Sequence, residues 1–318
     1  MHVHDAASTR AALPFERLVP ALRAMFAAGC HAPPRHVHQV GSGDAGPPFT
    51  SLIMPAWVPG RHYGVKTINI APGNAARGLP GLHAVYLLFD GATGVPMALI
   101  DGDELTTRRT AAASALAASW LARADARHLL VVGGGRIARW LPEAHRTVRP
   151  IDRVTVWTRH APQREALAAT LRADGFEARA TDDLADAAAE ADIVSCATLA
   201  TAPLIEGRWL RPGSHLDLIG SFTPAMREAD DACFTDAALY LDTVEALTKS
   251  GELIGPMSRG VFDAASVRGT LETLARGEAG GRSHDAERTV FKSVGTALED
   301  LAAAILVHDG ARALPPGD

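Results

Sequence analysis

A glycine-rich turn directly after an apolar segment is the sequence feature with the most specific chemistry. Residues 128–138 read HLLVVGGGRIA, which is an apolar strand followed by three glycines and the start of a helix. Gly133 permits a tight turn, Gly135 lets the backbone approach a pyrophosphate, and the small Ala138 lets the helix pack closely on the strand. This spacing predicts a dinucleotide-binding turn.

The residues after this turn and after the next strand extend the predicted cofactor site. Arg136 and Ile137 open the helix, where free backbone amides and the helix dipole favour an anion. The second strand, 154–157, is followed by Thr158 and Arg159, where an NAD-preferring site would place an acidic residue for the ribose 2′-hydroxyl. A hydroxyl and a guanidinium suit a 2′-phosphate, so we expect NADP(H) to be preferred, with NAD(H) possible. The alternative is that Arg159 is only a solvated loop residue.

The elements around the turn alternate between strands and helices. Short apolar segments occur at 129–132, 154–157, 193–197, 216–219 and 239–241, and helical stretches such as 163–173 and 184–189 lie between them. This alternation predicts a parallel, doubly wound sheet of the Rossmann type. A stretch of strong helix formers, 105–122, precedes it.

The first third of the chain has a different character. Residues 14–28 carry apolar side chains at helical spacing, and strand-like runs follow at 51–54, 65–70, 85–89 and 97–100. The last two runs are joined by a turn-forming cluster and indicate a hairpin. We therefore expect an antiparallel sheet or small barrel here, and an amphipathic helix over 287–307 that packs back on this first domain.

Composition excludes several classes of function. A length of 318 residues with 47% hydrophobic and 21% charged residues suits two soluble domains. A net charge of −5 argues against a nucleic-acid partner. We see no secretory signal, and no apolar run approaches the roughly 20 residues needed to span a membrane. Scattered cysteines without a C-x-x-C pair and histidines without metal-ligand spacing indicate a cytoplasmic protein without a bound metal.

Several motifs together resemble the ornithine cyclodeaminase/mu-crystallin family. They are GVKTINIAPGN at 64–74, LFD at 88–90, RTAA at 109–112, GSHLDLIGS at 213–221, MRE at 226–228 and FKSVG at 291–295. The resemblance covers nearly the whole chain. It implies a homodimer and an α/β architecture, with an NAD(P)-binding Rossmann domain over 113–289. That domain would be inserted into an α+β substrate-binding and dimerisation domain formed by 1–112 plus 290–318.

The resemblance also implies site residues. In this family two arginines and a lysine near the nicotinamide hold the carboxylate of a small α-imino or α-amino acid, and Arg35, Lys66 and Arg109 stand at the matching positions. We expect Lys66 and Arg109 to be catalytic as well. Lys66 lies in an apolar strand, where an unpaired ammonium is costly, although a strand-edge lysine and surface arginines are the alternatives. Thr110 matches the family's phosphate-contacting threonine, and Ser293 in the FKSVG motif is assigned to the cofactor.

One departure from the family decides the expected reaction. Ornithine cyclodeaminase uses an aspartate in a Gly-x-Asp-x-Pro setting, whereas residues 220–224 here read GSFTP. Phe222 cannot accept a proton, so we expect instead the reduction of the C=N bond of a small ketimine carboxylate by NAD(P)H. Δ1-Pyrroline-2-carboxylate and Δ1-piperideine-2-carboxylate are the candidates, with Phe222 packed against the substrate. The alternatives are an NAD-dependent ornithine cyclodeaminase and a mu-crystallin-like protein that binds a small ligand with NADPH.

Overall fold

The computed structural model describes residues 1–41 and 48–312, and the chain divides into two compact units. Unit 1 comprises Met1–Arg109 together with the described residues from Thr296 onward, and unit 2 comprises Thr110–Gly295. Within the described ranges, no helix combines the length and the apolar character needed to cross a membrane.

Unit 1 is built on one six-stranded sheet. Its strands are β1 (His2–His4), β2 (His36–Val40), β3 (Phe49–Val58), β4 (His62–Ile70), β5 (Leu82–Asp90) and β6 (Pro96–Asp101). Their order is β1-β6-β5-β4-β3-β2, with β1 parallel to β6 and all other neighbours antiparallel. The predicted antiparallel sheet and the β5–β6 hairpin are therefore present.

One face of this sheet is covered by helices of the same unit. Helices α1 (Ala6–Ala12) and α2 (Phe15–Ala28) lie between β1 and β2 in the chain, and α10 (Ala297–Arg312) packs against α2 and against β3 to β6. Because side chains alternate along a strand, β4 turns Lys66 and Ile68 to this buried face and Tyr63 to the opposite one. From β3 to β6 the sheet therefore has one buried face and one partly exposed face within unit 1.

Unit 2 is built on an eight-stranded parallel sheet. Its strands are β7 (His128–Val132), β8 (Arg153–Trp157), β9 (Glu177–Ala180), β10 (Ile193–Cys196), β11 (His215–Leu218), β12 (Ala237–Leu241), β13 (Val267–Thr270) and β14 (Arg288–Lys292). Their order is β13-β12-β14-β11-β10-β7-β8-β9, with all neighbours parallel. This is the doubly wound arrangement that the alternating pattern predicts.

Helices connect these strands. They are α4 (Arg136–Arg146), α5 (Ala161–Ala173), α6 (Leu184–Glu190), α7 (Ala246–Lys249), α8 (Gly251–Ser258) and α9 (Leu271–Ala275). Helix α3 (Gly102–Leu121) contributes residues to both units. Short 3₁₀ segments occur at Pro72–Arg77, Gly207–Trp209, Asp231–Cys233 and Ala264–Ser266.

The predicted helix over 287–307 is wrong in its first half. Arg288–Lys292 forms β14, which lies buried between β11 and β12, and α10 begins only at Ala297. The sequence of β14 is RTVFK, and its β-branched and aromatic centre suits a central strand. Gly295, with a φ of 76°, separates the two elements. As a result, residues 290–295 belong to unit 2, and the division at the other end falls after Arg109 instead of after residue 112.

Candidate functional site

The glycine turn of unit 2 has the geometry that its sequence predicts. Gly133 follows β7 with a φ of 128°, and a Cβ at this position would lie 2.6 Å from the carbonyl oxygen of Ala197. Gly135 is the N-cap of α4, and a Cβ there would point into open space. Among the residues that the structure describes, no side chain caps this helix, and its first turn contains no acidic residue. The first-turn amides can therefore bind an anion.

A cavity of about 370 Å³ lies at the carboxyl ends of β7, β8 and β10. In the sheet order, β7 lies between β8 and β10, which is the point where the winding reverses and where such folds bind ligands. The volume falls within the range of small-molecule sites. The lining residues are Gly133, Gly134, Gly135, Trp157, Thr158, Arg159, His160, Gln163, Ala197, Thr198, Leu199, Ala200, Thr201, Ala202 and Leu204.

The predicted cofactor residues are only partly gathered at this cavity. Gly133, Gly135, Thr158 and Arg159 line it, and Arg136 and Ile137 lie in the first turn of α4, beside Gly135. Together, the glycine turn, the uncapped helix start and the cavity fit the diphosphate and one ribose of a dinucleotide.

Thr158 and Arg159 differ in what they can offer a ligand. The Thr158 hydroxyl donates a hydrogen bond to the carbonyl oxygen of His160 at 2.8 Å, so its single hydrogen is engaged within the turn. Arg159 is exposed at the cavity. Of the two side chains, Arg159 is therefore the one available for a 2′-phosphate.

The cavity wall at Thr198, next to the glycine turn, is held by a buried carboxylate that the residue types alone did not single out. Glu228 accepts hydrogen bonds from the backbone nitrogen and the hydroxyl of Thr198 at 2.7 and 2.8 Å, and from the backbone nitrogen of Gly220 at 2.7 Å. Burial raises the pKa of Glu228 to about 7, although the Lys292 ammonium and the Thr198 hydrogen bonds act in the opposite direction. Only the MRE motif at 226–228 pointed to this residue.

Three other predicted residues of unit 2 are outside the cavity lining in the described part of the chain. Thr110 is buried in α3. Ser293 is buried directly after β14, where its backbone nitrogen donates to the carbonyl oxygen of Leu218 at 3.1 Å. Phe222 is half-buried and packs against the apolar core of unit 2.

In unit 1, Lys66 and Arg109 are brought together by two carboxylates of α10. The Lys66 ammonium lies 2.6 Å from Asp300 Oδ2 and donates to the Thr106 hydroxyl at 3.3 Å. The Arg109 guanidinium donates from Nε to Asp300 Oδ1 at 2.9 Å and from Nη1 to Glu299 Oε2 at 2.6 Å. We call Lys66, Arg109, Glu299 and Asp300 the charge cluster. Lys66, Glu299 and Asp300 have no exposed side-chain surface, and Arg109 is almost fully buried.

Within the charge cluster, burial disfavours the charged form of each group, whereas pairing with opposite charges favours it. Burial lowers the pKa of Lys66 to about 8, and Asp300 offsets only part of that effect. Burial alone would raise the pKa of Asp300, but Lys66 and Arg109 outweigh it and the pKa is lowered. At neutral pH Lys66, Arg109 and Asp300 therefore carry their charges. Arg35 is half-buried directly before the edge strand β2, two strands away from Lys66 in the sheet.

The sequence missed the anionic half of the charge cluster. Glu299 and Asp300 lie in a stretch that reads ALEDLAAAILV. Two adjacent acids inside an otherwise apolar helix were the available signal, since buried carboxylates require partners.

These observations define unit 2 as a Rossmann-type dinucleotide-binding unit: a doubly wound parallel sheet with a glycine turn and a cavity at its reversal point. The model of the ornithine cyclodeaminase/mu-crystallin family matches residues 16–314. The chain belongs to this family, as its motifs predicted.

Similar proteins include named reductases. The Delta(1)-pyrroline-2-carboxylate reductase of Paracoccus denitrificans is 47% identical over 264 residues, which cover 81% of this chain and 83% of the relative. Among solved structures, the Thermococcus litoralis Delta(1)-pyrroline-2-carboxylate reductase in complex with NADH and L-proline has a TM-score of 0.91 and 29% identity, covering 98% of both chains. An archaeal alanine dehydrogenase dimer with bound NAD has a TM-score of 0.90 and 26% identity, covering 98% of this chain and 96% of the other.

Proposed function

We propose that the protein is an NAD(P)H-dependent reductase of a small ketimine carboxylate, of the Δ1-pyrroline-2-carboxylate or Δ1-piperideine-2-carboxylate type. The observation that carries this proposal is the charge cluster, in which Asp300 holds Lys66 and Arg109 side by side. A guanidinium has five N–H donors, and the cluster engages two of those of Arg109. The remaining donors suit the carboxylate of an imino acid. Relatives that bear the name Delta(1)-pyrroline-2-carboxylate reductase support this substrate class.

The side chains of unit 1 have two tasks in the proposed reaction. The nicotinamide, when bound, supplies a hydride to the carbon of the C=N bond. Arg109 orients the substrate through its carboxylate, which is the main requirement for an electrophile as reactive as an iminium. An imine that enters unprotonated also needs a proton on nitrogen. Lys66 is the proposed donor, because a pKa of about 8 leaves it protonated at neutral pH yet able to release the proton.

Phe222 argues against the family's lyase reaction. It is half-buried against the apolar core of unit 2 and presents no group that can exchange a proton. The adjacent Ser221 hydroxyl is engaged with the carbonyl oxygen of Met226 at 2.6 Å. We therefore expect no release of ammonia from L-ornithine by the purified protein, and formation of proline from ornithine without added reductant would overturn this assignment.

For the cofactor, we propose NADP(H) as the preferred dinucleotide and NAD(H) as a weaker alternative. The support is Arg159, which is exposed at the cavity next to a strand end that lacks an acidic residue. The similar structures described above hold NADH or NAD, so the preference is a property proposed for this chain. Arg159→Ala should lower kcat/KM for NADPH about tenfold, the lower end for a charge-assisted hydrogen bond at an exposed site, and leave kcat/KM for NADH unchanged.

We further propose that unit 1 forms a homodimer through the exposed face of its sheet. On this face the rings of Tyr63 and Phe89 stack with centroids 5.4 Å apart, and Val85 is 48% exposed. Such an apolar surface is typical of an interface, and a second copy is the proposed occupant because the similar alanine dehydrogenase is a dimer. Sedimentation should show a dimer that Tyr63→Glu with Val85→Glu dissociates. Val95→Glu, at an exposed apolar position before β6, is the control that should stay dimeric.

The decisive experiment follows the oxidation of NADPH and NADH by absorbance with cyclic imino acids as substrates. Δ1-Pyrroline-2-carboxylate and Δ1-piperideine-2-carboxylate are compared with pyruvate plus ammonia, which tests for an acyclic imine. Turnover of a cyclic imine that Arg109→Ala abolishes supports the proposal. An enzyme that oxidises neither cofactor with any imine would contradict it.

A further inference from the structure

A single buried carboxylate joins three backbone segments behind the cofactor cavity. Glu228 Oε1 accepts from the nitrogen and the hydroxyl of Thr198, and Oε2 accepts from the nitrogen of Gly220. Thr198 follows β10 and Gly220 follows β11, so the carboxylate bridges the ends of two neighbouring strands. We call Glu228, Thr198 and Gly220 the carboxylate bridge.

One residue of the carboxylate bridge is part of the cavity wall. Thr198 lines the cavity, and the methyl group of its side chain would lie 3.5 Å from a Cβ built on Gly133. A Cβ on Gly220 would lie 1.9 Å from the Thr198 carbonyl oxygen, which shows how closely the two loops approach. The position of Thr198 relative to the glycine turn therefore depends on the hydrogen bonds that Glu228 accepts.

Glu228 is itself held from behind. Its backbone nitrogen donates to Glu252 Oε2 at 2.7 Å, and the nitrogen of Ala229 donates to Glu252 Oε1 at 2.9 Å. Glu252 lies in the first turn of α8 and is buried. The Glu252 carboxylate thus fixes the backbone at Glu228 and Ala229. The Glu228 side chain therefore has little freedom to move away from Thr198.

We propose that Glu228 is a positioning residue for the dinucleotide: its ionised carboxylate fixes the Thr198 wall of the cavity and thereby sets cofactor affinity. This inference rests on the proposed binding of a nicotinamide dinucleotide in that cavity. Two of the three partners are backbone N–H groups, which can only donate. A protonated Glu228 would turn its hydrogen to the Thr198 hydroxyl oxygen and would accept only weakly from the Thr198 N–H, so only the ionised carboxylate accepts from all three partners.

The surroundings of Glu228 allow its charge to change near neutral pH. The charged or titratable groups that face it are the Lys292 ammonium, the Glu252 carboxylate and the Cys196 thiol. The Lys292 ammonium also interacts electrostatically with the carboxylates of Asp217 and Asp242, which lie farther along the same sheet. Burial raises the pKa of Glu228 to about 7. If only the ionised form holds the wall, the dissociation constant should rise up to about tenfold between pH 8 and pH 6.

The test is NADH binding, measured by nucleotide fluorescence from pH 6 to pH 8 on the full-length protein. NADH is the probe because it lacks a 2′-phosphate that titrates in this range. The wild type should bind more weakly as the pH falls. Glu228→Gln should bind about tenfold more weakly at pH 8 and lose most of the pH dependence, since an amide places a donor against a donor and does not titrate.

Matched variants separate positioning from folding. Asp217→Asn removes another buried carboxylate of the same sheet, which accepts from the hydroxyls of Ser114 and Ser195; among the described residues, these serines and Asp217 are absent from the cavity lining. It should lower stability but keep the wild-type pH profile of binding. His160 also lines the cavity. If Glu228 causes the pH dependence of NADH binding, His160→Gln should likewise retain that pH dependence.

Thr198→Val tests the bridge even if Glu228→Gln fails to fold. Loss of the hydroxyl removes a hydrogen bond that favours the ionised carboxylate, so the midpoint of the binding profile should move to higher pH. Thr198→Ser keeps the hydroxyl and should keep the midpoint. An unchanged midpoint in Thr198→Val, or a Glu228→Gln variant that binds NADH with the wild-type profile, would overturn the role proposed for Glu228 but not the cofactor proposal. A wild type that binds no NADH at any pH would overturn the cofactor proposal together with it.

Discussion

Replacing Lys66 with methionine removes one of the two cations that share the Asp300 carboxylate. Lys66 and Arg109 supply two positive charges to the charge cluster, and Glu299 and Asp300 supply two negative charges. Lys66→Met therefore leaves one positive and two negative charges in a site that excludes solvent. Methionine is also unbranched, so the change mainly removes charge instead of creating a cavity.

The magnitude follows from the contacts that remain. Breaking a buried ion pair costs about 3 to 5 kcal/mol, because one charge stays buried without compensation. Arg109 Nε still lies 2.9 Å from Asp300 Oδ1 in the variant, so we expect the lower end, about 3 kcal/mol. This corresponds to a change on the order of 100-fold in the equilibrium for opening of unit 1.

Hydrogen exchange of peptides from β3 and β4 measures this opening directly. Both strands are paired on both sides in the unit 1 sheet, and their amides should exchange on the order of 100-fold faster in Lys66→Met. Asp300→Asn alone should also accelerate exchange, since it leaves Lys66 without its carboxylate. The double variant restores equal numbers of positive and negative charges, so exchange should return most of the way to the wild-type rate.

Two results would refute this reasoning. Exchange in Lys66→Met that stays within a few-fold of the wild type would mean that the cluster does not bury its charges as tightly as its distances indicate. Additive effects in the double variant would mean that Lys66 and Asp300 are not energetically coupled.

The other predictions concern activity, cofactor binding and packing. Activity should fall as the pH rises through about 8, because Lys66 loses its proton there. In Lys66→Arg, whose guanidinium stays protonated, any remaining activity should show no such fall in a pH–rate profile. Gly133→Ala should lower both the melting temperature and the affinity for NADH, since its Cβ would meet Ala197. Gly135→Ala should lower only the affinity for NADH, as measured by titration, and leave the melting temperature unchanged. Gly64→Ala would place a Cβ 2.1 Å from the Tyr86 hydroxyl and should destabilise the protein by about 1–3 kcal/mol in urea unfolding.

The features of this fold that residue type and spacing predict are those that a local pattern determines. The glycine turn needs a positive φ at Gly133 and space beside Gly135, and both requirements are visible in residue type and spacing alone. The antiparallel β5–β6 hairpin and the alternation of strands and helices were predictable for the same reason. Each depends on neighbours within a few positions of the chain.

The interactions that hold both sites were not predictable, because they join distant segments. Lys66 and Asp300 meet through the packing of α10 on the sheet of unit 1, and Glu228 meets the backbone of Thr198, whose amide carries no sequence signal. The β14 error has a related cause. RTVFK continues into a helical pattern, and only pairing with β11 and β12 makes it a strand.

The place of β14 in the sheet also constrains how unit 2 can assemble. β12 and β13 precede β14 in the chain, yet they join the rest of the sheet only through β14, which pairs with β11 on its other side. Until Arg288–Lys292 inserts, both β11 and β12 present open edges to solvent, a state that invites intermolecular pairing. Closure of the sheet is therefore a late, non-local event and should be slow. Chaperone dependence or aggregation of this protein should track substitutions in β14 more closely than substitutions around the cofactor cavity.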